Sequence, residues 1–103
     1  MHSKYKIRRG DEVYAREFLA NPVGHHSPGL RRVTNLLRGL PIKGKHVVVC
    51  IEPHKEWMLG VLPGERGKPI KLLRNKHYRD LLEAERDVFR LRWKQVTGRA
   101  LKL

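Results

Sequence analysis

Residues 46–62 read HVVVCIEPHKEWMLGVL, and the architecture turns on how this stretch folds. Its first half holds Val47, Val48, Val49 and Ile51, a β-branched run too short for a buried helix and bounded by Gly44 and Pro53, which predicts a strand. Trp57 to Leu62 is a second apolar run, and Pro53-His54-Lys55 turns the chain between the two, so the economical reading is an antiparallel hairpin. Both faces of the first strand are apolar. A hairpin alone is marginal in water, so both faces call for cover by helices or by a partner.

Upstream, Asp11 to Ala20 reads as a helix, with Asp11 as cap, Glu12 favourable to the helix dipole, and Tyr14 and Phe18 on one face. Asn21-Pro22 stops it, and Asn21 to Ser27 is a run of turn formers that holds neither periodicity. Ser27-Pro28 opens a second helix, because the Ser hydroxyl accepts from an orphan amide and Pro occupies the first helical position at no cost in donors. Leu30, Val33, Thr34 and Leu37 form its apolar stripe, and Gly39 with Pro41 ends it.

Downstream of the hairpin, Leu62 to Pro69 is a polar loop with two Pro and two Gly, and Ile70 to Leu73 is a short extended piece. Asn75 is then placed to cap a last helix. Tyr78, Leu81, Leu82, Val88, Phe89, Trp93 and Val96 repeat at helical spacing up to Thr97-Gly98, where Gly supplies a left-handed stop. The expected fold is α+β: three helices with a β-hairpin between the second and third, in a single small domain over residues 11–98. Residues 1–10 are expected to be a basic flexible arm and 99–103 a short C-terminal tail.

A chain of 103 residues builds one modest core. A hydrophobic fraction of 40 % suffices for that core and excludes a disordered polyelectrolyte, although 32 % of residues are charged. Twenty-three Lys and Arg against ten Asp and Glu leave a net charge of +13, which points to a negatively charged partner. The single Cys50 excludes an intrachain disulfide and a Cys-rich zinc site. The basic N-terminus is followed by no apolar stretch of signal-peptide length and no run approaches a membrane span, so the expected location is the cytoplasm, with no membrane partner.

No constellation of catalytic residues stands out. The adjacent His25-His26 pair lacks a second pair at i, i+4 or a flanking carboxylate cluster to complete a metal site. Ser27 lies beside His26 but is better explained as a helix cap than as a nucleophile, and no Gly-x-Ser-x-Gly elbow surrounds it. Gly64 to Lys68 lacks the spacing and ending of a phosphate loop. Basic residues remain: Arg31, Arg32 and Arg38 on the second helix and Arg90 on the last suit either a phosphate-tracking surface or a solvated face.

The run Asn21-Pro22-Val23-Gly24-His25-His26-Ser27-Pro28, with Leu30, Arg32-Val33 and Asn35 through Arg38, resembles the small (alpha) subunit of N,N-dimethylformamidase. The segments C-terminal to this run are similar too: a β run, a second one opened by Glu56-Trp57, then a helix with Glu85, Val88-Phe89 and Arg92. The resemblance implies a non-catalytic accessory subunit of a heteromeric amidohydrolase that cleaves an N-substituted formamide to formate and an amine. It implies that iron and the catalytic residues sit in the large subunit, leaving no cofactor, metal or catalytic residue in this chain. The alternative, read from charge alone, is a small basic nucleic-acid-binding protein. For either partner the candidate contacts are Arg8, Arg9, His25, His26, Arg31, Arg32, Arg38, Trp57, Arg90 and Trp93, the two Trp being anchors of the kind that dominate interfaces. The plainer role for Trp93 is the core of the domain itself.

Overall fold

A computed structural model describes residues 6–102. A 3-10 turn at Arg9–Asp11 leads into α1 (Glu12–Ala20), followed by α2 (Pro28–Arg38), three strands β1 (His46–Glu52), β2 (Glu56–Val61) and β3 (Lys71–Tyr78), and α3 (Leu81–Thr97). The strands form one antiparallel sheet in the order β1-β2-β3.

The expected hairpin is therefore corrected to a three-stranded sheet between α2 and α3. Leu59 pairs with Leu73 but the adjacent Met58 pairs with His77, so Arg74, Asn75 and Lys76 bulge out of the ladder. That bulge interrupts the alternation by which a half-buried strand is recognised, and it presents three polar residues in a row. Asn75, expected as a helix cap, lies in β3; the cap of α3 is Asp80, whose carboxylate accepts from the Leu82 amide at 2.9 Å. Asp11 likewise serves another bond: its carboxylate accepts from the Arg8 amide at 2.9 Å and makes no side-chain cap on α1. Residues 1–5 of the basic arm lie outside the described residues; within the rest of it, Ile7 packs against the core.

The start of α2 is set by local chemistry. Ser27 Oγ accepts from the Leu30 amide at 3.2 Å with Pro28 at the first helical position. The Ser27 hydroxyl also donates to Glu17 at 2.6 Å and its amide to the same carboxylate at 2.8 Å, tying α1 to α2 across the intervening loop. These bonds, the hydroxyl first, hold the Glu17 carboxyl below its ordinary value of 4.5. A depressed carboxyl contributes stability that is complete above its unfolded value and lost as pH falls through the lower folded one. Urea denaturation from about pH 7 to 3 is expected to show such an acid limb, and Glu17→Gln to flatten it. An unchanged acid limb in that variant would assign it to other carboxylates.

α3 is the shared wall of two cores. Toward the other helices it sends Phe89 and Trp93, which join Ala15, Phe18, Leu30, Val33 and Leu37. The Phe18 and Phe89 rings stack with centroids 4.3 Å apart, worth about 0.5–1.5 kcal/mol beyond area burial. Toward the sheet, Ala84 and Val88 pack on Leu59, with Val48, Trp57, Leu73, Tyr78 and Leu91 around them. Side-chain hydrogen bonds lock α3 to distant backbone: Arg86 Nε donates to the Leu19 carbonyl at 2.8 Å, and Arg92 Nε to that of His46 at 2.9 Å. Gly98, at φ 73°, closes α3 in the left-handed conformation that L side chains rarely adopt. Among the described residues, no helix is long and apolar enough to cross a membrane.

Candidate partner-docking surface

Strand geometry sorts the sheet residues. Val48, Leu59 and Leu73 are cross-strand partners, as are Cys50 and Trp57, and Trp57 and Tyr78; these rows include the side chains that meet α3. By the period of two, the intervening rows face away: Val47, Gly60 and Leu72 in one, Val49, Met58 and His77 in the next. Val47, Leu72, Val49 and Met58 make this second face largely apolar in composition. Its side chains crowd one another, since a Cβ on Gly60 would lie 2.7 Å from Ile70 Cγ2 and 3.1 Å from Val49 Cγ2. Val47, Val49, Met58 and Leu72 are only half-buried, and Ile51 and Ile70 are 43 % and 42 % exposed. Contiguous apolar faces on charged proteins are the kind of surface at which partners dock.

Cations flank it. Arg74 and Lys76 stand in the bulge of β3 and Lys71 at its start, while His77 and Glu56 lie 3.4 Å apart beside Met58. A second basic feature, apart from the sheet, is an open cleft of about 640 Å³ lined by Arg9, Glu12, Arg16, Arg99, Ala100 and Lys102.

The ten residues singled out from sequence do not converge. Arg8 and Arg9 sit at the 3-10 turn before α1, with Arg9 in the basic cleft. His25 is exposed, whereas His26 Nε2 donates to the Asn21 carbonyl at 3.0 Å and its ring lies 6.0 Å from that of Phe18, so it braces the loop. Arg31, Arg32 and Arg38 are exposed on α2. Arg90 is paired to Asp87 at 2.7 Å, and Asp87 also accepts from the Tyr78 hydroxyl. Burial, then that hydrogen bond, raises the Tyr78 phenol far above its usual range, so it stays protonated and supplies no base. Trp57 packs between sheet and α3, and Trp93, 1 % exposed, belongs to the core, the plainer of the two roles read from the sequence. The residues that form the apolar face escaped selection individually, although the two-sided apolarity of β1 was their signal.

Among the described residues no three His, Cys, Asp or Glu side chains come together to hold an ion, and Cys50 is exposed. His46 Nδ1 is buried without a hydrogen-bond partner.

A family model described as the N,N-dimethylformamidase alpha subunit matches residues 4–102, nearly the whole chain. No curated protein matches it.

Proposed function

The chain belongs to the N,N-dimethylformamidase alpha subunit family, and from that premise we propose that it is the non-catalytic small subunit of a cytoplasmic, heteromeric amidohydrolase whose large subunit holds the iron and performs the hydrolysis. An alpha subunit implies a second kind of subunit, and the apolar face of the sheet supports this reading above all. Helix α3 covers one side of the sheet; Val47, Val49, Met58 and Leu72 on the other side await cover. Desolvating such a face stabilises a complex at roughly 25 cal/mol per Å² of apolar area, before the costs of association are deducted.

A second copy of this chain is a poor occupant, because each copy carries +13 and the cations beside the face would oppose one another. A larger chain with an acidic rim around an apolar patch fits both features. The role of this subunit is then to order or shield part of its partner.

Co-expression with the large subunit tests the assignment. The two chains should co-purify in fixed stoichiometry, with hydrolysis of an N-substituted formamide by the complex and none by this chain alone. A well-folded monomer that ignores the large subunit would remove the reading. Retention of the isolated chain on nucleic acid, weakening about 10³-fold between 50 and 200 mM salt, would favour instead the basic cleft at Arg9, Arg16, Arg99 and Lys102 as a phosphate-binding surface.

A further inference from the structure

Between α2 and α3, apart from the sheet face and the basic cleft, lies a cavity of about 60 Å³. Thr34, Leu37 and Arg38 from α2 and Glu85, Val88, Phe89 and Arg92 from α3 line it, with Phe18 of α1. Leu37, Val88 and Phe89 are buried and supply an apolar floor, while the two guanidinium groups, Thr34 and Glu85 supply polar lining. One water requires about 10–15 Å³ measured in this way, so the space suits a group of a few heavy atoms.

Positive charge here exceeds negative. Arg92 Nε is committed to the His46 carbonyl, which leaves the terminal nitrogens of its guanidinium for another acceptor. Lys45 Nζ donates to the Arg38 carbonyl at 2.6 Å, which adds an ammonium at the end of α2. Among the described residues neither Arg38 nor Arg92 forms an ion pair, whereas Arg86 and Arg90 on the same helix as Arg92 do. Burial makes protonated Arg92 less favourable; Glu85 partly offsets this and Arg38 adds to it. Lys45 is disfavoured as a cation by burial, then by Arg92. Two guanidinium groups thus line the cavity with one carboxylate, and Lys45 adds repulsion at Arg92, an arrangement that a bound anion relieves.

We propose that this cavity is a receptor for a single carboxylate on a short alkyl chain, with Arg38 and Arg92 taking the carboxylate and the apolar floor taking the methylenes. Guanidinium groups match a carboxylate with paired hydrogen bonds, and Glu85 disfavours a dianion. Phosphate and sulfate have no apolar portion for Leu37, Val88 and Phe89. The chemistry is that of a glutamate side chain presented by another protein, or of a free short-chain carboxylate. Affinity for the free carboxylate is a property of this chain alone and does not depend on what covers the sheet.

The probe is propionate, titrated into the isolated chain at constant ionic strength and followed by the amide resonances of Thr34 and Val88. Saturable shifts are expected with propionate and not with sulfate. Arg38→Gln should weaken binding about 10-fold, the loss of one charge-assisted hydrogen bond at an exposed position, with Arg38→Lys intermediate. Glu85→Gln should strengthen it, an opposite sign that general salt effects do not produce. Arg38 is exposed, so its variants should retain the native amide spectrum. A glutamate-bearing peptide that competes with propionate would identify a protein side chain as the source, and one that fails to compete would identify a free carboxylate. Equal responses to sulfate and propionate, or indifference to both Arg38→Gln and Glu85→Gln, would overturn the pocket while leaving subunit assembly untouched.

Discussion

Met58→Glu is expected to abolish assembly with the large subunit while leaving this chain folded. Met58 lies at the middle of β2 between Val49 and His77, on the face that α3 does not cover. In the free subunit the new carboxylate extends into solvent beside His77, and a polar side chain on a solvated strand face costs on the order of 1 kcal/mol or less. In the complex it is buried without a partner, which costs roughly 3–5 kcal/mol. Affinity should therefore drop by at least about 100-fold. Leu72→Glu, one strand across and on the same face, should behave alike. The control is Val13→Glu on α1, where Val13 is 59 % exposed as an isolated apolar side chain; it should change both folding and assembly little. Affinity by biolayer interferometry, with circular dichroism of each variant, reads the outcome. Full affinity in Met58→Glu and Leu72→Glu would move the interface elsewhere on the molecule.

Trp93→Ala carries the largest expected loss of stability. Trp93 is 1 % exposed and packs on Phe89, with ring centroids 6.0 Å apart, in the cluster that joins α1, α2 and α3. Removing a buried Trp costs about 3–5 kcal/mol, counting both lost transfer energy and the cavity left behind. A domain of this length has about 5–15 kcal/mol in all, so the midpoint of thermal unfolding should fall by roughly 15 °C or more. Because α3 also forms the wall of the sheet core, the loss should appear as one cooperative transition. Trp57→Ala, at a half-buried position between sheet and helix, should cost distinctly less. Equal losses at the two positions would contradict the ranking of the cores.

The helices were legible because their determinants are local. Ser27 and Pro28 set the start of α2 through bonds that span three residues, and Gly98 sets the end of α3 through one left-handed residue. Leu30, Val33 and Leu37 are the buried stripe that their spacing predicts. Of β3 only the start, within Ile70 to Leu73, read as extended, because the rest depends on pairing with β2 and three residues outside the ladder interrupt the alternation that marks it. The same polar run, with Asn75 in it, imitates the start of a helix that in fact begins at Leu81.

The candidate surface divides in the same way. Charge and the apolar excess of β1 pointed to a partner, but selection of individual Arg, His and Trp residues by type gathered side chains that the fold disperses. Arg90 is satisfied by Asp87, His26 by a loop carbonyl and Trp93 by the core. Arg38 meets a second cation, Arg92, across the α2–α3 contact.

Sequence alone was sufficient for three amphipathic helices, a strand that begins at His46, a strongly basic surface and a family resemblance that the whole-chain match bears out. Tertiary structure alone decided that a third strand joins the sheet, that α3 lies on one face of it, and therefore which valines remain uncovered. Capping and helical periodicity act over three or four residues, whereas strand pairing and the choice of a buried face depend on contacts between segments far apart in the chain.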